Sequence, residues 1–101
     1  MKYFEINKQG HRSPSNYLLY QNYPNPFNSS TSIKFKIAKL AKVKLVIYNL
    51  QGREVRVVLN KQIQAGFHEI KLDASNLSTG VYYYSLSVDN ITKTKKFVLL
   101  K

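Results

Sequence analysis

Two histidines, five carboxylates and a run of three tyrosines are the side chains of this 101-residue sequence that could do chemistry. A histidine acting as general base needs a carboxylate that orients its ring. In the stretch FHEIKLD, His68 has Glu69 and Asp73 close by. If the stretch is a strand, both carboxylates point to the face opposite His68, because side chains alternate with a period of two. His11 lies in a stretch broken by Gly10, Ser13, Pro14, Ser15 and Asn16. No nucleophile, base and orienting acid therefore line up. His68 reads as a surface residue and the chain as a non-enzyme.

Asp73, Asn76 and Asp89 offer hard oxygen atoms near loops, but without EF-hand spacing or paired carboxylates. They read as turn residues that bond their own backbone. There is no cysteine, which excludes disulfides and thiolate metal sites. No metal and no cofactor is expected. Tyr82, Tyr83 and Tyr84 suggest a stacking platform for single-stranded nucleic acid or sugar, yet on a strand Tyr82 and Tyr84 share the apolar face of Leu86 and Val88, leaving only Tyr83 free to stack. Three glycosylation sequons, at Asn28, Asn76 and Asn90, are of the kind that arises by chance in loops rich in Asn and Ser.

The formal net charge of +11 predicts attraction to anionic partners. Much of it has a structural use: Lys34, Lys36, Lys44 and Lys71 fall on the outward faces of alternating stretches, where charge blunts edge-to-edge pairing of strands. Nucleic acid is accordingly disfavoured as a partner. No apolar run approaches the ~18 residues of a membrane span, and residues 1–16 lack the continuous apolar core of a secretory signal peptide.

The elements that must position these side chains are short strands. Residues 1–16 read as a linker or upstream remnant and 17–101 as one domain. YLLYQ (17–21), SIKFKI (32–37), VKLVIY (43–48), VRVVL (55–59), FHEIKLD (67–73), VYYYSLSVD (81–89) and TKTKKFVLLK (92–101) are strand-like runs separated by turn signals. Ile33, Phe35 and Ile37 share a face, as do Val43, Leu45 and Ile47; Val55, Val57 and Leu59; Ile70 and Leu72; and Tyr82, Tyr84, Leu86 and Val88. KIAKLAKVKL (36–45) has helix-favouring composition, but its β-rich flanks predict strand, turn, strand. Seven such runs at roughly ten-residue spacing predict an all-β, seven-stranded antiparallel immunoglobulin-like β-sandwich, without the Cys and Trp hallmarks of antibody domains. In YPNPFNSS the two prolines predict a stiff, kinked crossing at a sheet edge that delivers Phe27 to the core.

Taken together, LLYQNYPNPFNSSTSIKFKI, VKLVIYNLQGREVRVVLN, QAGFHEIKLDASNLSTGVYYYSL and KTKKFVLLK resemble the C-terminal sorting domain (type A) of the bacterial type IX secretion system over residues 18–101. The family's opening motif falls on Asn22, Pro24, Asn25, Pro26, Phe27 and Asn28. Its turn motif falls on Tyr48, Asn49, Gly52, Arg53, Glu54 and Val55, its Gly-x-His segment on Gly66 and His68, and its Leu-x-x-Gly-x-Tyr segment on Leu77, Gly80 and Tyr82. The terminal signal falls on Lys96, Phe97, Val98, Leu99, Leu100 and Lys101. Ser29 and Leu72 stand where the family often has Pro and Trp. The resemblance implies a non-catalytic address label for an upstream cargo domain, which passes through the periplasm and is secreted or held at the cell surface. The implied partners are the type IX translocon, a cell-surface sortase that cleaves in or before residues 1–16, and anionic lipopolysaccharide. Lys96–Lys101 would be the part read, as the true end of the chain. The alternatives are the immunoglobulin-like domain of flagellar hook-capping proteins and an adhesion or carbohydrate-binding module.

Overall fold

The computed structural model describes residues 17–101 together with two short backbone strands, β1 (Phe4–Ile6) and β2 (Arg12–Pro14). These two pair antiparallel as a separate sheet, within the segment read from sequence as a linker. The other seven strands are β3 (Tyr17–Leu19), β4 (Ser30–Ile37), β5 (Ala41–Tyr48), β6 (Glu54–Ile63), β7 (Gly66–Asp73), β8 (Gly80–Val88) and β9 (Ile91–Leu99). They form two antiparallel sheets, of order β3-β4-β7 and β6-β5-β8-β9, in an immunoglobulin-like sandwich. The Ala- and Lys-rich stretch is strand, bend and strand, as its flanks predict.

Alternation carries most of this architecture. Ile33, Phe35 and Ile37 from one sheet face Val43, Leu45, Ile47, Tyr84, Leu86 and Val88 from the other, and all are buried in a single core. Phe97 and Leu99 of β9 close the core on one side with Tyr17, Leu19 and Phe27. The two largest polar members keep their hydroxyls bonded, as burial requires. Tyr17 Oη lies 2.8 Å from the carbonyl oxygens of both Leu86 and Ile91. Tyr84 Oη accepts the Asn22 N–H and donates to the Tyr20 carbonyl, each at 2.8 Å.

Strand β6 departs from strict alternation. Leu45 pairs with Leu59 but Val46 with Val57, and Ile47 pairs with Arg56 but Tyr48 with Glu54. Val58 and Val55 are thus each an extra residue, forming two bulges, and each bulge turns the following side chains to the other face. Val58 and Leu59 both pack on the core, whereas Val55 and Val57 are exposed. The expectation that Val55, Val57 and Leu59 share a face is corrected accordingly.

Candidate functional site

Residues 20–29 cross from the edge of one sheet to the edge of the other. Tyr23 and Ser32 exchange two backbone hydrogen bonds of 3.0 Å, which holds the start of the crossing to β4. Asn22 is buried; its side-chain amide donates at 3.0 Å both to the Pro24 carbonyl and to Thr31 Oγ1, and Thr31 Oγ1 in turn donates to the same carbonyl. An amide with two N–H donors suits this position because two acceptors must be satisfied away from water. The peptide bonds before Pro24 and Pro26 are both cis.

The far end of the crossing seals the outer edge of β9. Phe27 N–H donates to the Val98 carbonyl (3.1 Å) and Leu100 N–H to the Phe27 carbonyl (2.8 Å), a short parallel bridge. Pro24 and Pro26 have no N–H to extend such a ladder. The contact is extended on the acceptor side instead, where the Asn25 side-chain carbonyl accepts the Val98 N–H at 2.9 Å. Phe27 is buried and its ring packs on Phe97, as expected of a residue delivered to the core.

The residues of the turn motif and of the Leu-x-x-Gly-x-Tyr segment gather at this same end, whereas Gly66 and His68 lie at the other. Asn49 Oδ1 accepts the N–H groups of Gln51 and Arg53, shaping a turn in which Gly52 adopts φ +82°. That turn leaves Arg53 and Glu54 exposed and joins β5 to β6 beside Tyr83 of β8, since Tyr48 pairs with both Glu54 and Tyr83. Gly80 pairs with Leu99, and Tyr82 donates to the Ser78 carbonyl while stacking on Phe97 (5.3 Å, 21°). Leu77 packs against the core. Lys101 N–H donates to Thr79 Oγ1, and its ammonium to the Ser75 carbonyl.

Of the residues read from sequence as the terminal signal, Phe97 and Leu99 are fully buried and Val98 is half-buried, whereas Lys96, Leu100 and Lys101 are exposed. Leu100, 53% exposed, shares a shallow concavity of about 370 Å³ with Pro24, Pro26, Phe27 and Asn28. Residues about 75 positions apart in sequence therefore present one largely apolar surface. Sequence reading missed Arg56. Its guanidinium donates to the Asp73 carbonyl (2.7 Å) and Asn76 Oδ1 (2.9 Å), tying β6 to the loop after β7. No spacing marks it, because both partners lie on the other side of a sheet-to-sheet gap. The Asp73 carboxyl is held below the usual carboxylate range, chiefly by the Ser75 backbone N–H, then by the Ser75 hydroxyl, with Arg56 and Lys101 adding to it.

The histidine of the Gly-x-His segment is not a plain surface residue. His68 is half-buried, its ring stacks on Phe35 (5.4 Å, 27°), and Nε2 lies 2.8 Å from the Gln64 carbonyl. Its partners are therefore an aromatic ring and a backbone carbonyl. Among the described residues, no three His, Asp or Glu side chains cluster as metal ligands would, and no helix is long and apolar enough to cross a membrane.

In this two-sheet sandwich the proline-bearing segment fastens the last strand. The chain belongs to the secretion system C-terminal sorting domain family: the family model matches residues 21–100. This is the sorting domain of type IX secretion, a class that acts as a signal and is not known for catalysis. Membership implies interaction with the type IX machinery and a secreted or cell-surface fate. A search among curated proteins found no match.

Proposed function

We propose that this domain carries an attached upstream cargo from the periplasm across the outer membrane by engaging the type IX translocon. The surface engaged is the end of the sandwich where Leu100 lies beside Pro24, Pro26 and Asn28, together with the exposed Lys96 and Lys101 of the same terminal segment. The observation that carries this reading is the family match over 21–100 together with the exposure of Leu100 next to the proline segment. After export a cell-surface sortase cuts in or before residues 1–16, and the cargo is released or joined to anionic lipopolysaccharide. Hook-capping and carbohydrate-binding roles draw no support from the comparisons.

The test is export of a folded reporter carrying a signal peptide and residues 1–101, in a bacterium with an active type IX system. Deleting Phe97–Lys101 removes two core side chains, Phe97 and Leu99, and so mixes loss of fold with loss of signal. The sharper variant is Leu100→Asp with Lys101→Glu, whose side chains are exposed. The expected result is a folded domain with the reporter held in the periplasm; normal surface appearance of both the deletion and the double variant overturns the proposal. The mass of the released reporter locates the cut.

A further inference from the structure

The sorting role leaves the lysines unexplained, and their placement is uneven. Of the four acidic residues in 17–101, Glu54, Glu69 and Asp73 lie on β6 and β7, and only Asp89 lies in the β8–β9 turn. That turn belongs to the end of the sandwich opposite Leu100, where the β4–β5 bend (38–40) and the β6–β7 connection (64–65) also lie. Lys36 is on the outer face of one sheet, Lys42 and Lys44 are on the outer face of the other, and Lys39 is in the bend between them. All four are exposed, and none forms an ion pair among the described residues.

The same end displays large apolar side chains. Leu40, in the bend beside Lys39, is 50% exposed; Phe67, paired with Lys36, is 58% exposed; Ile91, beside the Asp89–Asn90 turn, is 39% exposed. Each turn region at this end thus offers one apolar side chain, and lysines surround them. A groove for a peptide or a nucleic-acid strand would concentrate charge along one track. Here the charge wraps an end, from one sheet's outer face around the bend to the other's, with apolar side chains at the bend and beside the turns. Apolar side chains that can sink into the headgroup boundary, ringed by lysines that meet anionic lipid, are what a bilayer surface selects. Lys42 and Lys44 also line a shallow concavity of about 610 Å³ with Asn60, Ser87 and Thr92, whose amide and hydroxyl groups can bond headgroup oxygens; Asp89 places one carboxylate in the same wall, outnumbered by the two ammonium groups.

We propose that this end, with Leu40, Phe67 and Ile91 at its tips and Lys36, Lys39, Lys42 and Lys44 around them, docks on the surface of an anionic phospholipid bilayer. The docking is peripheral, electrostatic through the lysines and apolar through the tips, and it stands apart from the sorting reading because it uses the opposite end of the sandwich.

The test is co-sedimentation of the whole chain with vesicles of phosphatidylcholine alone and of phosphatidylcholine with one-third phosphatidylglycerol, at low and high salt. Binding is expected on the anionic vesicles only, and it should fall as salt shortens the screening length below about 8 Å. Lys42→Gln with Lys44→Gln should weaken it on the order of thirty-fold. Leu40→Ser, with charge unchanged, should weaken it about ten-fold. Lys96→Gln with Lys101→Gln, the same charge change at the other end, should leave it nearly intact. All the substituted side chains are exposed, and circular dichroism confirms that the variants stay folded. Four results each overturn the proposal: no binding to anionic vesicles at low salt, equal weakening by the two lysine pairs, a Leu40→Ser chain that binds like the parent, or tighter binding to duplex DNA than to the vesicles.

Discussion

The ring of Phe27 lies against the ring of Phe97, centroids 5.1 Å apart and planes at 54°. Through this contact the proline-bearing segment and the last strand share one piece of core, and the Phe27–Val98 and Leu100–Phe27 hydrogen bonds run alongside it. Phe97 also stacks on Tyr82, so it is the hub of the cluster. Phe97→Ala should cost about 3–5 kcal/mol in urea unfolding, the range for a buried aromatic truncated to Ala. Phe27→Ala should fall toward the lower part of that range. The double variant should be less destabilised than the sum of the two, by about 1 kcal/mol, because the pair contact is counted once.

Tyr84 has a fully buried side chain, and its hydroxyl bridges the Asn22 N–H to the Tyr20 carbonyl. Tyr84→Phe keeps the ring and strands both backbone groups. The expected loss is about 1–3 kcal/mol, the penalty for leaving buried polar groups unpaired. Equilibrium unfolding measures it, and a variant as stable as the parent would show that water reaches those groups.

Burial pushes the phenols of Tyr17 and Tyr84 up to about 12 from 10.0. Above pH 10 the unfolded chain releases these protons while the folded chain keeps them, so the unfolded state binds fewer protons and stability falls as pH rises. The stabilising contribution is complete below pH 10 and is lost through about pH 12. Phenolate absorbance should therefore show a late-titrating fraction that emerges together with loss of the native circular dichroism. Asp73 works in the opposite sense: its lowered pKa favours the folded state at neutral pH, and that contribution disappears as acid protonates it.

Gly52 sits at φ +82° in the turn that Asn49 organises. Nothing crowds the space a Cβ would take, so the cost of Gly52→Ala is conformational alone, about 1 kcal/mol. Asn49→Ala removes the acceptor of two backbone N–H groups and should cost a similar amount, about 1 kcal/mol. Thermal unfolding of the two variants checks both values.

The strands were legible because side-chain alternation is a local property. SIKFKI, VKLVIY and VYYYSL each show their buried face in the order of apolar and polar residues, and β4, β5 and β8 bury those faces. The β6 pattern misled for the same reason. EVRVVLNKQI alternates imperfectly, and only pairing with β5 reveals that Val55 and Val58 are extra residues. His68 was legible as a strand residue, but its stacking on Phe35 depends on β4 lying alongside β7.

Sequence by itself determined the all-β class, the number of strands in the sandwich, most of their inward faces and the membership motifs, since period, turn residues and motif spacing are all written within a few positions of one another. Tertiary structure alone decided what those motifs do for the fold. It brought Asn25 to the edge of β9, set Leu100 beside Pro24 and Pro26, buried Phe97 and Leu99 within the segment read as the terminal signal, and left Lys36, Lys39, Lys42 and Lys44 of the opposite end without ion pairs among the described residues. Each of these joins residues tens of positions apart across two sheets, and contacts of that range are fixed by packing and pairing, which no local pattern records.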